Sequence, residues 1–208
     1  EHCAVITGAL LIEGTDASNL DILHTLREVQ TYVSIGSNPS LESATIPNLV
    51  SVSSLFFIQE NPALEELVLP SLTEVGSTLQ VMDNPSLSTL SLDSLTGLDG
   101  SVYVIRNDAL ASFSLDGPPS IGGNLEVSMN NALTNFSFAA LTEVGGNLQI
   151  RRNDSLTNFG FGSLADVYLI KVEENADLCS SVVDEFEAAL TARGWSGTIE
   201  ATGNHDGC

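Results

Sequence analysis

A chain of 208 residues with 43% hydrophobic content can bury a substantial core, while 27 acidic against 6 basic residues leave it at −21. That balance argues against nucleic acid and anionic lipid as partners, since both need a basic footprint. No run of 18 apolar residues occurs, so no membrane-inserting segment is expected, and 6% aromatic content leaves a core of mostly Leu, Val and Ile.

In chain order, the first predicted element is the alternating pair Leu10/Ile12, which reads as a short half-buried strand. "TDASNLDILHTLREV" follows from Thr15 to Val29. Asp16 or Ser18 would cap a helix there, with Leu20, Leu23 and Leu26 at helical spacing.

From residue 30 the chain repeats itself. Asn stands at 38, 61, 84, 107, 130 and 153, a constant step of 23, and Asn175 closes the series one residue early. Before each Asn comes an alternating apolar pair: Val33/Ile35, Phe56/Ile58, Leu79/Val81, Val102/Val104, Leu125/Val127, Leu148/Ile150 and Ile170/Val172. A second pair lies downstream, as in Leu67/Leu69, Leu90/Leu92, Phe113/Leu115, Phe136/Phe138 and Phe159/Phe161. Leu72, Leu95, Leu141 and Leu164, then Val75, Leu98, Val144 and Val167, fill two further inward columns. One such unit cannot bury its own apolar face, so the units must stack. Asn38, Asn61, Asn84, Asn107, Asn130, Asn153 and Asn175 are then expected to form a structural ladder of amides at a turn, tolerating left-handed dihedrals.

The last elements are a helix over "SSVVDEFEAALTARGW" and a short strand, "GTIEAT". Ser180 or Ser181 would cap the helix, Val183, Phe186, Ala189 and Leu190 would form its apolar stripe, and Gly194 would stop it. Cys179 and Cys208 bracket this segment and are expected to be disulfide-bonded, at about 3–4 kcal/mol in the chain-entropy model. Cys3 is left free or paired outside this sequence. The expected fold is mainly β: a parallel β-helix or leucine-rich-repeat-like solenoid of seven to eight 23-residue coils with short capping helices at both ends. It forms a single domain over 1–208, divided into an N-terminal coil and cap (1–29), repeat coils (30–175) and a C-terminal helix and strand (176–208).

The units look like leucine-rich repeats, although "LTEVGGNLQIRRN" puts three residues between Val144 and Leu148 where that repeat has fewer. The pattern C-x-V-I-x-G-x-L-x-I (Cys3 to Ile12), L-x-x-L-x-x-V (Leu23 to Val29) and N-x-x-L-C (Asn175 to Cys179) resembles the receptor L-domain family. These are the ligand-binding right-handed β-helices of the insulin and epidermal growth factor receptors, with related domains in fungal cell-wall and secreted bacterial proteins. The resemblance implies a right-handed solenoid and an extracellular binding role. It carries over no ligand-contacting residue, and the family's nearby disulfide partner for the first Cys is missing.

Outward positions on the strand before each Asn stack into columns. They bring Phe57, Met82, Tyr103, Ile105 and Met129 onto one outer face, with Tyr32 and Leu55 beside them. Arg106, Arg151, Arg152 and Lys171 share that face, four of the six basic residues. Exposed apolar groups gathered together mark an interaction surface. The bland alternative is scattered exposure with local salt bridges to Glu126, Glu173 and Glu174.

The expected function is a non-catalytic, secreted or cell-surface recognition module. A protein or glycan ligand would bind through Phe57, Met82, Tyr103, Ile105, Arg106, Met129, Arg151 and Arg152. A structural or spacer domain of a larger surface protein is the alternative, and a polysaccharide-acting β-helix enzyme is a third. Vertical carboxylate pairs exist (Asp93/Asp116, Glu143/Asp166, Glu60/Asp83, Glu42/Glu65), but near the number chance gives, and no Arg, Lys or His accompanies them as lyase chemistry needs. No cofactor and no catalytic residue is expected. The acidic surface reads as a solubility adaptation, with weak Ca²⁺ binding as its second reading. The chain is expected to be a monomer or weak dimer.

Overall fold

The computed structural model describes residues 4–208, so the expectations about Cys3 lie outside the described residues. Every strand pairing is parallel, and the register repeats the sequence step. Leu79 sits between Phe56 and Val102, and Leu125 between Val102 and Leu148. The chain winds as a parallel β-solenoid of about seven coils.

The longest sheet has ten strands: Leu10–Glu13, Val33–Gly36, Phe56–Gln59, Leu79–Met82, Val102–Ile105, Leu125–Ser128, Glu143–Arg151, Asp166–Glu173, Ile199–Thr202 and, off the main path, Ser120–Ile121. Five short strands form a second sheet, from Ala4–Ile6 through Leu26–Val29, Ser51–Val52 and Glu74–Val75 to Gly97–Leu98. Two three-stranded sheets make the remaining side. One joins Ser43–Thr45, Glu66–Val68 and Thr89–Ser91; the other joins Ser112–Ser114, Asn135–Ser137 and Asn158–Gly160.

The predicted inward columns are buried from Val33, Ile35, Phe56 and Ile58 through Leu72, Leu95, Leu141 and Leu164, while Leu10, Ile12 and Leu90 are only partly buried against the core. The lining changes along the axis. Ala44 and Leu67 give way to Phe113, Phe136 and Phe159, whose rings stack at 5.5 and 6.0 Å. Phe138 and Phe161 form a second stack at 5.6 Å.

The helix Ser180–Ala192 closes this aromatic end. Phe186 meets Phe159 edge-on at 5.2 Å and Phe161 at 5.5 Å, and Val183 and Leu190 are buried beside it. Cys179, rather than Ser180 or Ser181, occupies the N-cap position, and Gly194 leaves the helix at φ +98°. Arg193 donates to the carbonyls of Leu164 and Gly162, and the Trp195 indole N–H donates to Val167 O. The Cys179–Cys208 disulfide ties the tail down, as expected.

The N-terminal helix is a correction. Only Asp21–Leu23 is helical, as a single 3₁₀ turn, and Leu20 rather than Asp16 or Ser18 stands at its N-cap. Leu26 opens a strand whose Val29 pairs with Val52, so Leu26 and Val29 lie in the columns that continue as Leu72 and Val75. The three-residue spacing of Leu20, Leu23 and Leu26 reflects coil corners, not helical turns.

The Asn ladder is present and longer than expected. Asn61 Nδ2 donates to Ile35 O at 3.1 Å and to Asn84 Oδ1 at 3.1 Å, while its own Oδ1 accepts from the N–H and Nδ2 of Asn38. The pattern runs from coil to coil through Asn175, and all seven amides are fully buried. Thr15 forms the first rung, donating its N–H and Oγ1 to Asn38 Oδ1, and Asn204 forms the last, accepting from Asn175. The left-handed position is one residue earlier than predicted. Ser37, Glu60, Asp83, Arg106, Met129, Arg152 and Glu174 all have φ between +53° and +57°, with Gly14 and Gly203 in register at the ends.

Candidate functional site

The outer face of the ten-stranded sheet is built by the register itself. Leu11, Ser34, Phe57, Gln80, Tyr103, Glu126, Gln149 and Lys171 form one column, about 4.8 Å apart per coil. Two strand positions on, Glu13, Gly36, Gln59, Met82, Ile105, Ser128, Arg151 and Glu173 form the next. Arg106, Met129 and Arg152 belong to the left-handed column that borders the face.

The eight predicted contact residues therefore share one surface, but not equally. Phe57, Met82, Tyr103 and Met129 are half-buried, each shielded on two sides by its column neighbours. Ile105 is only 8% exposed although it lies outside the inner core, so it supports the face from beneath. Leu11 and Tyr32 are more open, at 55% and 37%. Tyr168, at 82%, is a large exposed ring the sequence reading passed over; it stands where the coil drops one residue opposite Gly145 and Gly146.

All four basic residues of the face are engaged with carboxylates of the same face. Arg106 Nη1 contacts both oxygens of Asp83, at 3.0 and 3.2 Å. Arg151 directs Nε and Nη2 at Glu126 Oε1, at 3.2 and 2.8 Å, and this is the most shielded pair. Arg152 pairs with Glu174, and Lys171 with Glu200. The hydrogen bond from Arg152 holds the Glu174 carboxyl below its ordinary range and raises the Arg152 guanidinium. The bond to Glu200 likewise raises Lys171. Of the expected salt-bridge acceptors, Glu126 and Glu174 are used directly.

The face thus divides in two. Its N-terminal half carries Leu11, Tyr32, Leu55, Phe57 and Met82; its C-terminal half carries the ion pairs of Arg151, Arg152 and Lys171. Along the left-handed edge, a shallow trough of about 400 Å³ is lined by Glu60, Pro62, Asp83, Pro85, Arg106 and Asp108.

The vertical carboxylates serve local structure where the contacts are resolved. Asp116 accepts from Ser137 Oγ and from the Ala139 N–H, both at 2.7 Å, and Asp93 accepts from Ser91. Glu143 and Asp166 are neighbours across one strand pair. Among the described residues, no group of three or more His, Cys, Asp or Glu is disposed to hold a metal ion. No described helix is long and apolar enough to cross a membrane.

Two ladder rungs, Thr15 and Asn204, escaped the sequence reading. Thr15 lies one 23-residue step before Asn38, so its signal was present but in a different residue type. Asn204 stands 29 residues after Asn175 because the capping helix is inserted between the rungs. Searches of curated proteins and of solved structures return no match to the chain. Residues 2–88 match the family model described as "Receptor L domain".

Proposed function

We propose that this chain is a non-catalytic recognition module that works outside the cell or at its surface. Receptor L domains are ligand-binding modules, and the match spans the coils whose outer face is richest in exposed apolar groups. That coincidence carries the reading. Leu11, Tyr32, Leu55, Phe57 and Met82 all fall within residues 2–88, and Tyr103 continues the Phe57 column two coils on.

A protein or glycan partner would seat on this half of the sheet. Phe57 and Tyr103 are the anchors, because rigid aromatic side chains bury much area while losing little entropy. Met82 and Met129 adapt to the partner's contour, and Ile105 supports them. Arg106 and Arg152, each about half-exposed at 51% and 54%, offer their remaining N–H groups to an acidic partner group. Arg151 acts mainly by holding Glu126.

The test is capture of binding partners from the native source by wild type and by a Phe57→Ala/Tyr103→Ala variant. Loss of two anchors is expected to weaken capture about 30-fold or more. Equal affinity, with unchanged melting, would remove this face from consideration and favour a spacer role in a larger surface protein.

A further inference from the structure

We propose that Asn135 is an acceptor for N-linked glycan, and that the side of the solenoid bearing it is the sugar-covered side. The proposal rests on the extracellular reading above. Two triads of the chain satisfy N-x-S/T without Pro at the middle position: Asn135-Phe136-Ser137 and Asn153-Asp154-Ser155. The fold separates them. Asn153 is a ladder rung, fully buried, donating Nδ2 to Val127 O and to Asn175 Oδ1. A sugar on that nitrogen is incompatible with the ladder.

Asn135 is exposed on the middle strand of the sheet Ser112–Ser114, Asn135–Ser137, Asn158–Gly160. Its amide makes one exposed bond, from Nδ2 to Thr134 Oγ1, and that bond is easily exchanged for water. Phe136 points inward, so Asn135 and Ser137 both face solvent on the same side of the strand. One coil on, Gly160 stands in register with Ser137 and leaves a shallow depression of about 450 Å³ beside Asn135, room for a first sugar. Neighbouring coils lack the complete triad at this position. Ser112-Phe113-Ser114 has no amide, and Asn158-Phe159-Gly160 has no hydroxyl.

The donor is a lipid-diphosphate-linked oligosaccharide. The Nδ2–C1 bond forms as the C1–O bond to the diphosphate breaks, the amide nitrogen loses one proton, and the lipid diphosphate leaves. Glycan here would hide this three-stranded side from protein partners, leaving the ten-stranded face open.

The chain is expressed behind a signal peptide in cultured animal cells, and both secreted and cell-retained protein are treated with peptide-N-glycosidase in ¹⁸O water. The expected result is one ¹⁸O-labelled Asp, at position 135. Asn135→Gln and Ser137→Ala abolish the label, whereas Ser137→Thr keeps it. An unlabelled position 135, or label at position 153 in folded protein, overturns the proposal. Partner capture by Asn135→Gln is expected to equal wild type, so failure of the binding reading shows separately.

Discussion

Adjacent residues in each coil divide two tasks between them: one holds a strained backbone and the next holds the hydrogen bonds. Met129 sits at φ +57°, a region that disfavours side chains with a Cβ by about 1–2 kcal/mol. Asn130 binds Val104 O at 3.0 Å and Asn153 Oδ1 at 3.2 Å, and accepts from the Asn107 N–H at 3.0 Å. Removing it strands several buried groups, each worth about 1–3 kcal/mol. Chemical denaturation should therefore show Asn130→Ala destabilised by about 3 kcal/mol or more, while Met129→Gly is neutral or up to about 1 kcal/mol more stable. Equal losses at both positions would mean the ladder is not what fixes the turn. The sequence displayed this ladder openly, because the short Asn amide can donate to a carbonyl and accept from the next amide at one buried corner, and it recurs at a fixed step. It did not display the strained residue, since Ser, Glu, Asp, Arg and Met share no side-chain property that marks a left-handed position.

Between strands, the coils approach very closely at the corner leading into the ten-stranded sheet. A Cβ on Gly122 would lie 2.1 Å from Asp99 O, and one on Gly145 would lie 2.5 Å from Gly122 O. Backbone cannot yield there without shifting the whole coil. Gly122→Ala is expected to lower stability by about 1–3 kcal/mol, whereas Gly8→Ala, which meets nothing within 4 Å, should leave it unchanged. Thermal melts of the two variants decide this, and a neutral Gly122→Ala would show the corner to be looser than its geometry. The same corners explain what was legible in the elements. Strands announced themselves because their columns recur every 23 residues, so each was read several times over. The segment from Thr15 to Val29 occurs once, and its Leu spacing fits a helix as well as a coil corner; only the step from Leu26 to Leu49 to Leu72 identifies it as a corner. On the outer face, the columns placed all eight of the proposed contact residues. They could not give the pairing of Arg151 with Glu126, which depends on long side chains reaching between columns.

For the whole molecule, the controlling quantity is the excess of 27 carboxylates over 6 cations. Folding draws these charges together, so the native state carries more self-repulsion than the expanded chain. Added salt acts in both directions. It weakens the four ion pairs of the long sheet, but pairs this exposed contribute little to stability. It also screens a net charge of −21, most effectively once the Debye length falls from about 30 Å at 0.01 M to about 8 Å at 0.15 M. Repulsion among so many uncompensated carboxylates outweighs four surface pairs, so the melting temperature at pH 7 should rise with NaCl over that range. Mild acid should act in the same direction at first, by neutralising repelling carboxylates. The Glu174 carboxyl opposes this trend: its depressed folded value gives stability that is present above its ordinary range and is lost as pH falls through the depressed one. Glu174→Gln should therefore lose only a small, salt-sensitive increment at pH 7, and that deficit should disappear in strong acid. Calorimetric scans over NaCl concentration and pH measure both effects; a melting temperature that falls with NaCl would show that the ion pairs, and not the net charge, govern the stability of the solenoid.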